Sequence, residues 1–377
     1  MSEDMRGGYL KKLLPKEPEP DKDGREKPDP SVPKPEQISQ IDRFELQILR
    51  TMMAFVDRQE VANCITEIAL KSGVPKENIN YVAFGQYGLY INPTVFKAGA
   101  TYDQEKNKVT FMGGFLENRG MQKKLVALSE SAAKFLTREQ KLQKIVNDRE
   151  TQMLFLWRYI HELVHSMTRV RVIEKKDEET RRTYKTSEIG YNSMTSVAYD
   201  GIEGGHTEIF EALNEGVTDR LAQEVFVAYM KRTGLTIDKK GPIALAKQQI
   251  YKLHYPADLV PYTKLFHQPY AIHCAMVQQI CEKYEAVTGQ PWEDLWHGLV
   301  AGAFADGAPI FTKEIREQLD EVFGENFLHD LSQLSNKSSL LQRHKFFKKY
   351  LGKNLNSQMS PKWLDYLGIK DKPKRFK

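Results

Sequence analysis

Cysteine is scarce in this chain of 377 residues: only Cys64, Cys274 and Cys281 occur, and none forms a C-x-x-C pair. That usage excludes a disulfide framework and agrees with a reducing, intracellular compartment. Cys274 and Cys281, seven apart in a helical pattern, read as core residues rather than ligands. Long hydrophobic runs are missing as well. No stretch of 18 apolar residues occurs, nor an apolar h-region near the start, so neither a membrane span nor a standard secretion signal is expected. A cytoplasmic address follows, with non-standard export left open. No internal repeat is found.

Hydrophobic content of 41% over this length is enough for a sizeable core and for more than one typical domain. Residues 1–38 stand apart: Pro15, Pro18, Pro20, Pro28, Pro30, Pro33 and Pro35 interrupt a run of Lys, Glu and Asp, the composition of a disordered leader. Order is expected from Ser39, where a capped helix carries Ile41, Phe44, Ile48, Met52 and Phe55. The net charge of +5 is uneven. From Lys337 onward there are twelve Lys or Arg and only Asp365 and Asp371 as acids, which makes the tail +10 and the remainder −5. Phe346, Phe347, Tyr350, Leu351, Trp363, Tyr366, Leu367 and Phe376 are interleaved with those bases. This tail, residues 336–377, suits an acidic partner, nucleic acid or an anionic surface, or else docks its aromatics on the body of the protein.

The most informative stretch is Ile160-His161-Glu162-Leu163-Val164-His165-Ser166. Its surroundings read as a helix from Asp148, a candidate N-cap, to Val170, with Met153, Leu154, Leu156, Trp157, Ile160, Val164 and Met167 as an apolar band and no Gly or Pro within. Residues four apart share a helix face with about 5 to 6 Å between Cβ atoms, so His161 and His165 can aim ring nitrogens at one ion. Glu162 sits beside the position left open for water, where it can take the proton of zinc-bound water. The two histidines alone remain compatible with a structural pair on a buried helix. A third ligand decides, because a catalytic zinc takes three protein groups and keeps one position for water. Thr207 to Ala222 reads as a helix whose apolar side is Ile209, Phe210, Leu213, Val217 and Leu221 and whose other side is a carboxylate stripe, Glu208, Glu211, Glu215 and Asp219. Like charges at such spacing repel unless a cation or solvent offsets them.

His161-Glu162-Leu163-Val164-His165 followed by Asn214-Glu215-Gly216-Val217-Thr218-Asp219 resembles the gluzincin branch of zinc metallopeptidases, the thermolysin-like families, with their H-E-x-x-H and N-E-x-x-[ST]-D motifs. The similarity runs at motif level from Asp148 to Leu221. It implies one Zn²⁺ per chain held by His161, His165 and Glu215, Glu162 as general base, and Asp219 hydrogen-bonded behind His161, where it fixes the ring tautomer. Glu211 stands as an alternative ligand. It also implies an α+β, zincin-like two-lobed fold: residues 39–170 as an N-terminal lobe with a small mixed sheet and the H-E-x-x-H helix, and 171–335 as a mainly helical C-terminal lobe. A Tyr or His from a later segment is expected to stabilise the oxyanion, Tyr270 first and then Tyr262, within 254–273. A ring packed at a helix end is the alternative for either.

The insert between His165 and Glu215 is longer than in compact thermolysin-like sites. Val170–Lys175 and Arg182–Glu188 are β-rich around Glu178-Glu179-Thr180-Arg181, which predicts a hairpin at the edge of the site. Upstream, strands are predicted at Tyr81–Phe84, Gly88–Ile91, Ala100–Tyr102 and Lys108–Met112, with Lys108–Met112 as an edge that an extended peptide could join or that simply faces solvent. The expected activity is zinc-dependent endopeptidase, a hydrolase acting on peptide or protein. Two other classes remain: a catalytically weak zincin scaffold serving as a protein-interaction module, and a nucleic-acid or membrane binder working through the basic tail.

Overall fold

The computed structural model describes residues 56–80, 90–92, 100–103, 108–112, 140, 149–199, 202–234, 271–305, 313–335 and 337–352. The predicted leader, the helix from Ser39, the strand Tyr81–Phe84, Asp148, Tyr262, Tyr270 and the end of the basic tail lie outside these residues. Among the described residues no helix is long and apolar enough to cross a membrane.

The first described helix, α1 (Arg58–Lys71), starts at Asp57, whose carboxylate accepts from the Glu60 backbone N–H. A three-stranded sheet follows: β1 (Tyr90–Asn92), β2 (Ala100–Asp103) and β3 (Lys108–Met112). The bounds of β2 and β3 agree with the sequence reading to within a residue, but their order does not give β3 an edge. It lies between β1, parallel to it, and β2, antiparallel to it. Strand order depends on the non-local β1–β3 pairing, which no local pattern encodes. The outer strands among the described residues are β1 and β2.

Helix α2 (Arg149–Met167) carries the H-E-x-x-H residues. Met153, Phe155, Leu156, Trp157, Tyr159, Ile160, Leu163, Val164 and Met167 are all buried, so apolar packing surrounds the helix rather than lining one band. Its end is tied down by Ser166 Oγ donating to Leu163 O and Thr168 Oγ1 donating to His165 O, each at 2.7 Å. Four antiparallel strands then run as a meander: β4 (Val170–Asp177), β5 (Arg182–Ile189), β6 (Asn192–Tyr199) and β7 (Ile202–Ile209). The predicted hairpin is β4–β5, in register from Val170↔Ile189 to Asp177↔Arg182. None of the described side chains within the four strands is buried, a condition that antiparallel sheets tolerate.

Helix α3 (Glu211–Thr233) begins four residues later than the sequence reading placed it. Residues 207–209 belong to β7, which pairs with β6, and Phe210 turns the chain out of the strand with a left-handed φ of 59°. Glu208 therefore leaves the carboxylate stripe and instead accepts from Asn192 Nδ2 at 2.7 Å. The Ala212 N–H, orphaned at the helix start, donates to Leu334 O at 3.2 Å. The helix is buried through most of its length and stops at Gly234, φ 64°.

The remaining helices are α4 (Ala271–Thr288), α5 (Trp292–Phe304), α6 (Lys313–Phe323), α7 (Phe327–Ser332) and α8 (Leu340–Tyr350). Buried residues of α1 to α8 join one hydrophobic cluster. Helix α8 starts with a Ser339–Gln342 capping box and sends Phe346, Phe347 and Tyr350 into that cluster. Phe346 and Tyr350 lie 5.7 and 5.2 Å from Phe327 between ring centroids. These aromatics of the basic tail are core residues and are not free to stack on a ligand.

Helices α3 and α4 approach closely at Gly216. A Cβ there would lie 2.6 Å from His273 O and 2.8 Å from Val277 Cγ2. Alanine in an open helix interior gains about 1 kcal/mol over glycine. Overpacking against backbone costs about 1 to 3 kcal/mol, so Gly216→Ala should be net destabilising. Gly298 in α5 is the contrast, since its Cβ would meet only the flexible end of Ile315 at 3.0 Å. Denaturant titration should show a lowered midpoint for Gly216→Ala and little change for Gly298→Ala.

Candidate metal centre

Helix α2 presents His161 and His165 one turn apart, both buried, with Nε2 atoms 3.2 Å from each other and rings T-shaped at 4.8 Å. Helix α3 crosses beside them and adds Glu215: Oε2 lies 3.3 Å from His161 Nε2, and Oε1 lies 3.5 Å from His165 Nε2. The three residues form the metal-capable cluster of the described chain. Glu211, the alternative ligand, is at the first position of α3 and outside that cluster.

Behind each histidine stands a group from α3. Asp219 Oδ1 is 3.3 Å from His161 Nδ1. His165 Nδ1 faces Thr218 Oγ1 at 3.4 Å and Asn214 Nδ2 at 3.5 Å. The Asn214 oxygen is taken by the Tyr191 backbone N–H at 3.0 Å, and an amide nitrogen accepts nothing. Thr218 is therefore the acceptor that a His165 Nδ1–H can use. Asn214 instead ties α3 to the β5–β6 turn, where Gly190 has φ +53° and would clash with Asn214 Oδ1 if it bore a Cβ. The sequence reading gave neither residue a role. Their positions one before and three after Glu215 were the available signal, but helical spacing alone does not say which histidine they face.

With both Nδ1 atoms turned toward α3, the Nε2 lone pairs and the Glu215 oxygens converge on one point. Electron-rich atoms this close and this buried repel unless positive charge lies between them. Glu215 Oε2, moreover, has no hydrogen bond among the described residues. Zinc fits the arrangement. Bonds of about 2.0–2.1 Å at tetrahedral angles put neighbouring ligand atoms about 3.3 Å apart; the two Nε2 atoms are 3.2 Å apart, each has one Glu215 oxygen within 3.5 Å, and one ligand atom from each of the three residues lies within 4.8 Å of the others. Two imidazoles and a carboxylate are also the donor set of one common catalytic zinc site. Without an ion, a proton supplies the charge. Burial disfavours the His161 cation, yet Asp219 and Glu215 outweigh it and raise the ring to about 10. Burial likewise opposes ionisation of Glu215, and the adjacent histidines overcome that and hold it below the usual carboxylate range.

Glu162 is half-buried beside the two histidines on α2. Burial raises its carboxyl above the usual range, while the backbone N–H of Tyr102 in β2 donates to it and acts in the opposite direction. Of the oxyanion candidates, Tyr262 and Tyr270 lie outside the described residues. His273 from the same predicted stretch is buried in the first turn of α4, against Gly216. Burial pushes its ring down to about 4, so it is neutral at physiological pH.

The geometry separates three acids of α3 by function. Glu215→Ala should abolish stoichiometric zinc. Asp219→Asn should weaken zinc binding roughly ten- to a hundredfold, and Glu211→Ala should do neither. Elemental analysis and competition with a chromogenic chelator read all three, and release of metal by Glu211→Ala with retention by Glu215→Ala would place the ligand one turn earlier. Comparison with family models, curated proteins and solved structures gives no match, so the gluzincin resemblance stands on the two motifs and on the geometry of their side chains.

Proposed function

We propose that this chain is a zinc-dependent endopeptidase. The observation that carries the proposal is the joint placement of three ligand-capable residues, with one atom from each within 4.8 Å of the others, an acid behind His161, and Glu162 next to them on α2. Bound zinc would supply Lewis acidity, lowering the pKa of water toward neutrality and polarising a carbonyl. His161, His165 and Glu215 would hold it. Asp219 and Thr218 would keep the two Nδ1 protons in place and the Nε2 lone pairs forward.

Glu162 then acts as general base. It takes a proton from the attacking water and delivers it to the amine that leaves, so that water and peptide yield one carboxyl and one amino terminus. Its raised proton affinity matches the work of accepting and returning a proton. The Tyr102 N–H bonded to Glu162 shows which strand borders this base. It is β2, an outer strand among the described residues, that packs more closely on α2 than β3 does. An extended polypeptide laid along β2 would pair by strand addition and run past Glu162, which assigns to β2 the role first expected of β3.

Glu162→Gln separates ligation from catalysis, because the amide keeps the shape and loses the base. Zinc content should remain at the wild-type value, and peptide hydrolysis should fall by roughly two to four orders of magnitude. Near-normal hydrolysis by this variant would assign the base elsewhere. Comparing proteome cleavage by the active chain and by the Glu162→Gln variant would identify the substrates.

A further inference from the structure

Asp219 has two carboxylate oxygens, and only Oδ1 meets His161. The terminal torsion of an aspartate is broad, so nothing within the side chain itself decides which oxygen faces the ring or at what angle. The decision comes from the other side. Gln223, one turn further along α3, donates from Nε2 to Asp219 Oδ2 at 3.0 Å, and Cys274 of α4 places Sγ 3.5 Å from the same oxygen. Gln223 Nε2 is also 3.3 Å from Cys274 Sγ. The amide can give one hydrogen to Oδ2 and one to sulfur, and the single thiol hydrogen has two acceptors in reach, Oδ2 at 3.5 Å and the Gly216 carbonyl at 3.8 Å, of which Oδ2 is the nearer. Burial first, and Asp219 second, push the Cys274 thiol well above its ordinary range, so that proton is retained.

Gln223 bears a cost for this role. The side chain is fully buried, and its Oε1 has no hydrogen-bond partner among the described residues. Exchanging the amide oxygen and nitrogen would aim Oε1 at a carboxylate, so the orientation is forced by Asp219. A buried amide that leaves its acceptor unsatisfied in order to donate to one oxygen calls for an explanation. Core packing alone would be served better by an apolar residue of the same shape.

We propose that Gln223 and Cys274 are positioning residues of the metal centre, which clamp Oδ2 of Asp219 so that Oδ1 holds His161 in its ligating tautomer and angle. The proposal rests on the metal reading above. It assigns a role to a buried glutamine and a buried thiol that neither motif contains. Cys274 is thereby part of the site's support and not a redox group, since its sulfur is enclosed among Asp219, Gln223 and the Gly216 carbonyl.

The test uses the full chain stripped of metal, titrated with zinc against a chromogenic chelator and with cobalt(II) for its visible spectrum. Gln223→Leu and Gln223→Met should each weaken zinc binding roughly tenfold and alter the cobalt spectrum, because the His161 ring loses its fixed orientation. In an Asp219→Asn background the same substitutions should add little, since the oxygen they act through has already been changed. A merely structural role would lower the unfolding midpoint of the metal-free protein and leave zinc affinity, cobalt spectrum and non-additivity untouched, and that result overturns the proposal. Should neither Gln223 variant fold, Cys274→Ala decides: a few-fold loss of zinc affinity supports the clamp, and unchanged affinity refutes it. If the wild-type chain takes up no zinc at all, the metal reading fails. If it takes up one zinc while every variant binds as tightly, only the clamp fails.

Discussion

The structure depends on a confrontation: two imidazole nitrogens and a carboxylate held within 3.5 Å of one another at the crossing of α2 and α3. In water such groups would separate or be screened. Here both histidines are buried and the helices that carry them are packed on nearly every side, so the groups have nowhere to go. Burying charge without a partner is among the most expensive things a fold can do. The protein compounds the expense by adding the fully buried Asp219 behind His161. This arrangement is favourable only when a cation sits at the point of convergence, whether a proton on His161 or a metal ion shared by all three.

One helix supplies nearly everything that the histidines need. Glu215 and Asp219, four apart, face His161 from its two ends, while Asn214 and Thr218, also four apart, face His165. The helical period thus places two pairs of supports with no help from loops. Gly216, three residues before Asp219 and on the same face of α3, completes the design. Having no side chain, it lets the His273 carbonyl of α4 approach, and that approach brings Cys274 of the same turn to Asp219. Packing density between two helices and the surroundings of the carboxylate behind His161 are consequences of the same glycine.

What could be read in advance was whatever a local period encodes. Helix α2 was legible because nothing breaks Arg149–Met167 and its apolar residues recur at helical spacing. The β4–β5 hairpin was legible from β-branched residues around a charged turn. Strands β6 and β7 were not. Their sequence mixes Ser, Thr, Gly and Glu, and none of their described side chains is buried, so no hydrophobic alternation marks them. Glu208 of β7 also continues the helical spacing of the α3 acids, and strand pairing overrode that accidental register. His161, Glu162, His165, Glu215 and Asp219 could be singled out from spacing along helices, and the structure brings them together. Thr218 and the Gln223–Cys274 pair could not, because their meaning lies in which helix packs against which face.

The insert between the two motifs also finds its explanation in strand count. A chain leaving the end of α2 in a strand travels away from His161 and His165. Each further antiparallel strand reverses it, so only an even number returns it to the end from which it left. Four strands do so: β4 starts at Val170, five residues past His165, and β7 ends at Ile209, six residues before Glu215. The outer strands β4 and β7 are separated by three strand spacings, about 14 Å across the sheet. That width is bridged by hydrogen-bonded structure rather than by a floppy loop, and the base of the sheet is pinned to α3 through Tyr191 and Asn214. A long insertion therefore leaves the relative placement of α2 and α3 intact, because the inserted segment is itself a rigid spacer whose two ends emerge on the same side.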